Sequence, residues 1–163
     1  MHLSVLFVCL GNICRSPSAE AVLRATSKLD SDSLFVDSAG LGNWHVGKLP
    51  ERMAIEEGAR RGYDLSGIRA RHFDLKDYDR FDVIVAMTSG YWRSLRDSAP
   101  PLRAGDVVLF GAFGGKDADV ADPYDGTIDD YRAMFDVLEA GMPHLDRFLV
   151  REGTRKANEV RDA

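Results

Sequence analysis

Cysteine is scarce: the 163 residues hold two, Cys9 and Cys14, five positions apart in one short stretch. So close a pair cannot tie distant segments together, which excludes a disulfide framework and suggests a reducing, cytoplasmic setting. No apolar run is long enough to cross a bilayer, and the one near the start, Leu3 to Val8, is short and lacks the basic lead of a secretory signal. The four histidines, His2, His45, His72 and His144, show no ligand spacing, so no metal is expected. Positive charge is not in excess either. Lys and Arg number 21 against 26 Asp and Glu, a net charge of -5, which argues against a nucleic-acid partner. Repeats and low-complexity segments are lacking as well.

With 45% hydrophobic and 29% charged residues, the chain has the composition of a globular protein with a proper core. One domain over residues 1–151 is expected, followed by a charged tail, 152–163, that should fray.

The informative stretch is Val-Cys-Leu-Gly-Asn-Ile-Cys-Arg-Ser-Pro, residues 8–17. Before it, Leu3 to Val8 is almost wholly apolar and reads as a buried strand; after it the chain turns helix-forming, with Ser16 expected as N-cap and Pro17 as first helical residue. A loop opening a helix presents unpaired N–H groups and partial positive charge, and Gly11 permits tight curvature, so residues 10–16 form a candidate cradle for a dianion. Arg15, six residues after Cys9, can reach over the same cavity and grip two oxygens of a tetrahedral anion. These surroundings favour the Cys9 thiolate, a nucleophile facing a bound phosphate.

Further along, apolar spacing predicts a helix from Pro17 to about Leu29, a strand from Leu34 to Ala39, a helix from Pro50 to Arg61 ended by Gly62, and a short helix from Leu75 to Tyr78. A third strand is expected at Phe81–Met87, a helix at Thr88–Asp97, a fourth strand at Val107–Phe110, and a last helix from Ile128 to Val150, bent or broken near Gly141 and Pro143. Strands alternating with helices predict an α/β fold, a single doubly wound four-stranded parallel sheet with helices on its flanks and the anion loop after the first strand. Its site should lie at the carboxyl ends of the strands, where Ser38 and the 40–50 loop also arrive. Trp44 in that loop suits either a flat wall for an aromatic ligand or core packing. Tyr91 and Trp92 read as helix-packing residues.

Phosphoryl transfer from an oxygen ester needs a proton donor, and the loop has none. The residues alone do not rank Asp117, Asp119, Asp122 and Asp125, all in the segment before the last helix.

Residues 8–17 match, position for position, the signature loop of the low-molecular-weight protein tyrosine phosphatases, and the resemblance extends over nearly the whole chain, in its bacterial form. It implies a hydrolase acting on phosphotyrosine in proteins, and on small aryl phosphates, through a cysteinyl-phosphate. Cys9 is then the nucleophile and Arg15 the oxyanion clamp. Leu10, Gly11, Asn12, Ile13, Cys14 and Ser16 become the phosphate-binding loop. Asp122 of Asp122-Pro123-Tyr124 is implied as general acid, with Trp44 and Tyr124 as aromatic walls and Ser38 as a support of Asn12. No cofactor is implied. The implied partners are phosphotyrosine proteins, a bacterial tyrosine kinase among them, with phosphate or another oxyanion in the loop and the protein acting as a monomer without membrane or nucleic acid. Cys14 is a candidate redox partner of Cys9. The chain departs from the family pattern at Ile68, where a histidine commonly braces Asn12, and at Thr88, where aspartate is frequent. Two rivals remain: an arsenate reductase of similar fold, which needs more cysteines than two, and a catalytically silent anion-binding redox sensor.

Overall fold

Strand β1, Leu3–Cys9, carries apolar side chains on both faces, and the sheet is assembled around it. In the computed structural model, which describes residues 2–114 and 119–163, β1 pairs in parallel with β2 (Leu34–Gly40) on one side and β3 (Val83–Ala86) on the other. β4, Val107–Leu109, adds to the far edge of β3, giving the order β2-β1-β3-β4. The expected four-stranded, doubly wound parallel sheet is therefore present. Because the chain moves outward from β1 in both directions, the switch point lies between β1 and β3, and the crevice above their carboxyl ends is where such sheets bind ligands.

Alternation along β1 divides the core. Leu3, Val5, Phe7 and Cys9 face a layer containing helix α1 (Arg15–Thr26), helix α2 (Arg52–Arg60) and helix α5 (Ile128–Asp162), with Leu23, Phe135 and Leu138 fully buried there. Leu6 and Val8 face the other layer, where Tyr78 of α3 (Asp77–Arg80) and Leu95 of α4 (Ser89–Ser98) pack on Ile84 and Val107. Coverage on both faces is what an unbroken apolar strand requires.

Several expectations are corrected. The N-cap of α1 is Cys14, not Ser16, and the helix opens at Arg15. Ser16 lies one position further in, and Pro17 falls in the first turn, where its missing N–H would have had no intrahelical partner. Helix α5 neither breaks at Pro143 nor stops near Val150; it runs from Ile128 to Asp162 with Pro143 inside. Burial of Leu138, Met142, Leu145 and Leu149 along one stripe offsets the local cost of proline. The charged tail is helical rather than frayed, stitched by Arg155 to Glu152 and Glu159 and by Lys156 to Asp82 beside β3. A capping box of Thr127 and Asp130 starts this helix.

Candidate active site

The loop between β1 and α1 is held in shape from its centre. Asn12 adopts φ 57°, a left-handed conformation that asparagine tolerates better than most residues. Its side chain is spent on keeping it there: Nδ2 donates to Ser16 Oγ at 2.8 Å and to Ser38 Oγ at 2.9 Å, while Oδ1 accepts the Arg71 backbone N–H at 3.0 Å. The brace expected to be missing with Ile68 is thus supplied by a main-chain donor three residues on. Ile68 itself is a buried core residue. Arg71 is fixed in turn by Asp37 (2.9 Å) and Asp77 (3.0 Å). Gly11 does not provide the positive φ; it provides room, since a Cβ there would lie 3.0 Å from Cδ2 of His45.

Cys9 ends β1 with 2% of its surface exposed, and its Sγ lies 2.9 Å from Ser16 Oγ and 3.3 Å from the Asn12 amide N. Because Ser16 Oγ accepts from Asn12 Nδ2, its hydroxyl proton is free to point at the sulfur. Two donors are thus aimed at Sγ, at the mouth of a helix N-terminus. Cys14 is in a different condition. Burial pushes its thiol up to about 12, against the opposing hydrogen bond with Tyr131 Oη at 3.6 Å, so it stays protonated at neutral pH. Both cysteines are free.

Arg15 is almost fully buried and points into the same cavity. Nη1 donates to the Val120 carbonyl at 3.2 Å, Nη2 donates to the Tyr91 hydroxyl at 3.0 Å, and Nη2 lies 3.5 Å from Asp122 Oδ2. Among the four aspartates, Asp119 is engaged at the first turn of α4, accepting from Ser89 N at 2.7 Å. Asp125 is a turn residue at φ 62°, and Asp117 lies outside the described residues. Asp122 alone of the three described reaches the cavity, its side chain 48% exposed and its Oδ1 accepting from Tyr124 N in an Asx turn.

The cavity, about 350 Å³, is lined by residues 9–15 of the loop and by Trp44, His45, Asp122 and Tyr124. Trp44 is 64% exposed, lines the cavity and lies outside the core, its ring against Gly42, where any Cβ would overlap it at 1.2 Å. Ser16 and Ser38 stand behind the loop as supports. The sequence reading missed His45, whose ring sits 6.3 Å from that of Tyr124, and also Arg71, the Val120 carbonyl and Tyr91. A main-chain donor or carbonyl leaves no residue-type signal, and nothing in the spacing of Tyr91 points towards residue 15.

This constellation has the groups to bind a dianion and attack it, and comparison with known proteins gives the family. Residues 4–155 match the model of the family described as low molecular weight phosphotyrosine protein phosphatase. The chain belongs to this family. A low molecular weight protein-tyrosine-phosphatase of Streptomyces coelicolor is 40% identical over 152 residues, covering 89% of this chain and 92% of the relative. Among solved structures, this phosphatase is similar to YfkJ from Bacillus subtilis, with TM-score 0.82 and 35% identity over 93% of this chain and 97% of that one. It is also similar to Vibrio vulnificus Wzb in complex with benzylphosphonate, with TM-score 0.80 and 26% identity over 90% of this chain and 99% of that one.

Proposed function

We propose that the protein hydrolyses phosphotyrosine in proteins in two steps, with Cys9 as nucleophile, Arg15 as clamp and Asp122 as general acid and base. The carrying observation is that Cys9 Sγ, backed by Ser16 Oγ at 2.9 Å, lies in one cavity with Arg15 and Asp122. In the first step the thiolate attacks phosphorus, the bond from phosphorus to the tyrosyl oxygen breaks, and protonated Asp122 gives its proton to that oxygen. In the second, water attacks phosphorus, Asp122 takes the water proton, and Cys9 leaves as thiolate with Ser16 supporting its charge. Arg15 and the loop N–H groups hold the three non-bridging oxygens through both steps, where fixed donors cost no reorganisation.

The ring-shaped part of the substrate is read from the walls. Trp44, Tyr124 and Leu10 present apolar surface around the mouth, which suits a phenyl ring and gives a short alkyl phosphate little to touch. Phosphotyrosine proteins, a tyrosine kinase with phosphorylated tyrosines among them, are the partners in this reading, and a reducing cytoplasm keeps Cys9 competent. No helix among the described residues is long and apolar enough to cross a membrane.

Rapid-quench kinetics with p-nitrophenyl phosphate tests the mechanism. A stoichiometric burst of p-nitrophenol followed by steady turnover, with phosphate trapped on the Cys9 peptide, is expected. Cys9→Ser should bind inorganic phosphate and lose turnover, since no base stands ready to activate a serine. Turnover retained in Cys9→Ser removes the mechanism; phosphate binding without any turnover in the wild type would favour the silent sensor.

A further inference from the structure

The pattern of acceptors around Arg15 carries a further inference, which rests on the phosphatase reading. A guanidinium that clamps a phosphoryl group must be held still before the anion arrives, yet must not be neutralised by whatever holds it. Arg15 meets both conditions. Its two hydrogen-bond acceptors, the Val120 carbonyl and the Tyr91 hydroxyl, are uncharged, and its carboxylate neighbour, Asp122, is exposed and more distant at 3.5 Å.

We propose that Tyr91 is a positioning residue for phosphoryl transfer, its hydroxyl and ring holding the Arg15 guanidinium in the pocket. The ring adds a second hold, since Cζ of Arg15 stands over it at 5.3 Å from the centroid. Tyr91 is itself well anchored. Its backbone N–H donates to Oγ1 of Thr88, the N-cap of α4, at 3.2 Å, and its ring packs against the buried clusters on both faces of the sheet. This also assigns a purpose to Thr88: it starts the helix that delivers Tyr91 to the end of β3, beside the loop after β1. A carboxylate in place of the phenol would hold Arg15 as firmly but would repel the incoming dianion; a phenol holds without competing.

The test is a double-mutant cycle on the full chain, read by amide NMR titration with inorganic phosphate, which reaches weak affinities and needs no turnover. Tyr91→Phe keeps the ring and loses the hydroxyl. It should weaken phosphate binding about 3- to 10-fold, the size of one hydrogen bond, and lower kcat for p-nitrophenyl phosphate to a similar extent. In an Arg15→Lys background the same substitution should change phosphate affinity less than about twofold, because the partner of the hydroxyl is gone. An equal loss in both backgrounds, or none in the wild type, overturns the proposal, since a packing role would not depend on Arg15. A measurement on the unsubstituted protein stands beside the cycle. The Arg15 Nη groups should give separate, slowly rotating resonances before phosphate is added, and averaged signals would mean that nothing holds the fork. A wild type that binds phosphate without hydrolysing esters would defeat the phosphatase reading and leave these arms intact.

Discussion

The backbone N–H of Arg71 donates to Oδ1 of Asn12 at 3.0 Å, joining the anion loop to a segment 59 positions away and completing the hydrogen bonding of a residue held at φ 57°. Replacing Asn12 separates the two things it does. Asn12→Gly keeps the left-handed backbone and loses three side-chain hydrogen bonds; Asn12→Ala loses both. Chemical denaturation should show both variants destabilised by about 1–3 kcal/mol, as for unsatisfied buried groups, with alanine the worse. Glycine at wild-type stability and activity would mean that the backbone alone matters.

Asp122 should reveal itself through the leaving group. Asp122→Ala should lower kcat by roughly 10²- to 10⁴-fold for phenyl phosphates whose phenols are poor leaving groups, and by much less for good ones that need no proton. A loss independent of the leaving group would assign the acid elsewhere.

Cys14 stays a thiol at neutral pH, so peroxide should oxidise Cys9 first and Cys14 should act only by capturing the resulting sulfenic acid. Activity lost to peroxide should return with dithiothreitol in the wild type and return far less in Cys14→Ser. Mass spectrometry of the loop peptide decides: a Cys9–Cys14 disulfide is expected, and Cys9 sulfinic acid forming equally in both proteins would leave Cys14 a packing residue.

Glu20 gives a pH dependence with a definite sign. Its carboxyl is 2% exposed, Oε2 has no hydrogen-bond partner among the described residues, and burial raises it from the usual 4.5 to about 8, with Arg24 opposing and Asp37 reinforcing. The folded protein therefore holds a proton between pH 4.5 and 8 that the unfolded chain releases, so this group makes stability fall as pH rises across that window. Glu20→Gln should flatten the slope, with its largest gain in melting temperature at and above pH 8. A parallel displacement of the two curves would show that Glu20 is not the titrating group.

Strand and helix order was legible because the apolar runs of β1 and β3 and the helical stripes of α1 and α5 carry period and length within themselves. Element ends were read less well. Ser16 resembles an N-cap by residue type, but its hydroxyl is drawn to Cys9 and Asn12, so the cap moves back to Cys14. Proline at 143 reads as a break, but breaking α5 there would expose an apolar stripe already buried against the sheet.

The sequence by itself determined the make-up of the loop: the proposed nucleophile, the proposed clamp and the helix start lie within eight consecutive residues, 9–16, where chain connectivity enforces their proximity. The tertiary structure decided everything that reaches the loop from a distance. Asp122 is singled out from equivalent aspartates because its turn falls beside Arg15, while Asp119 is diverted to the first amide of α4. Tyr91 and the Arg71 amide arrive at the site through strand pairing and helix packing. Such contacts depend on register across the sheet, and nothing in the residues nearby records it.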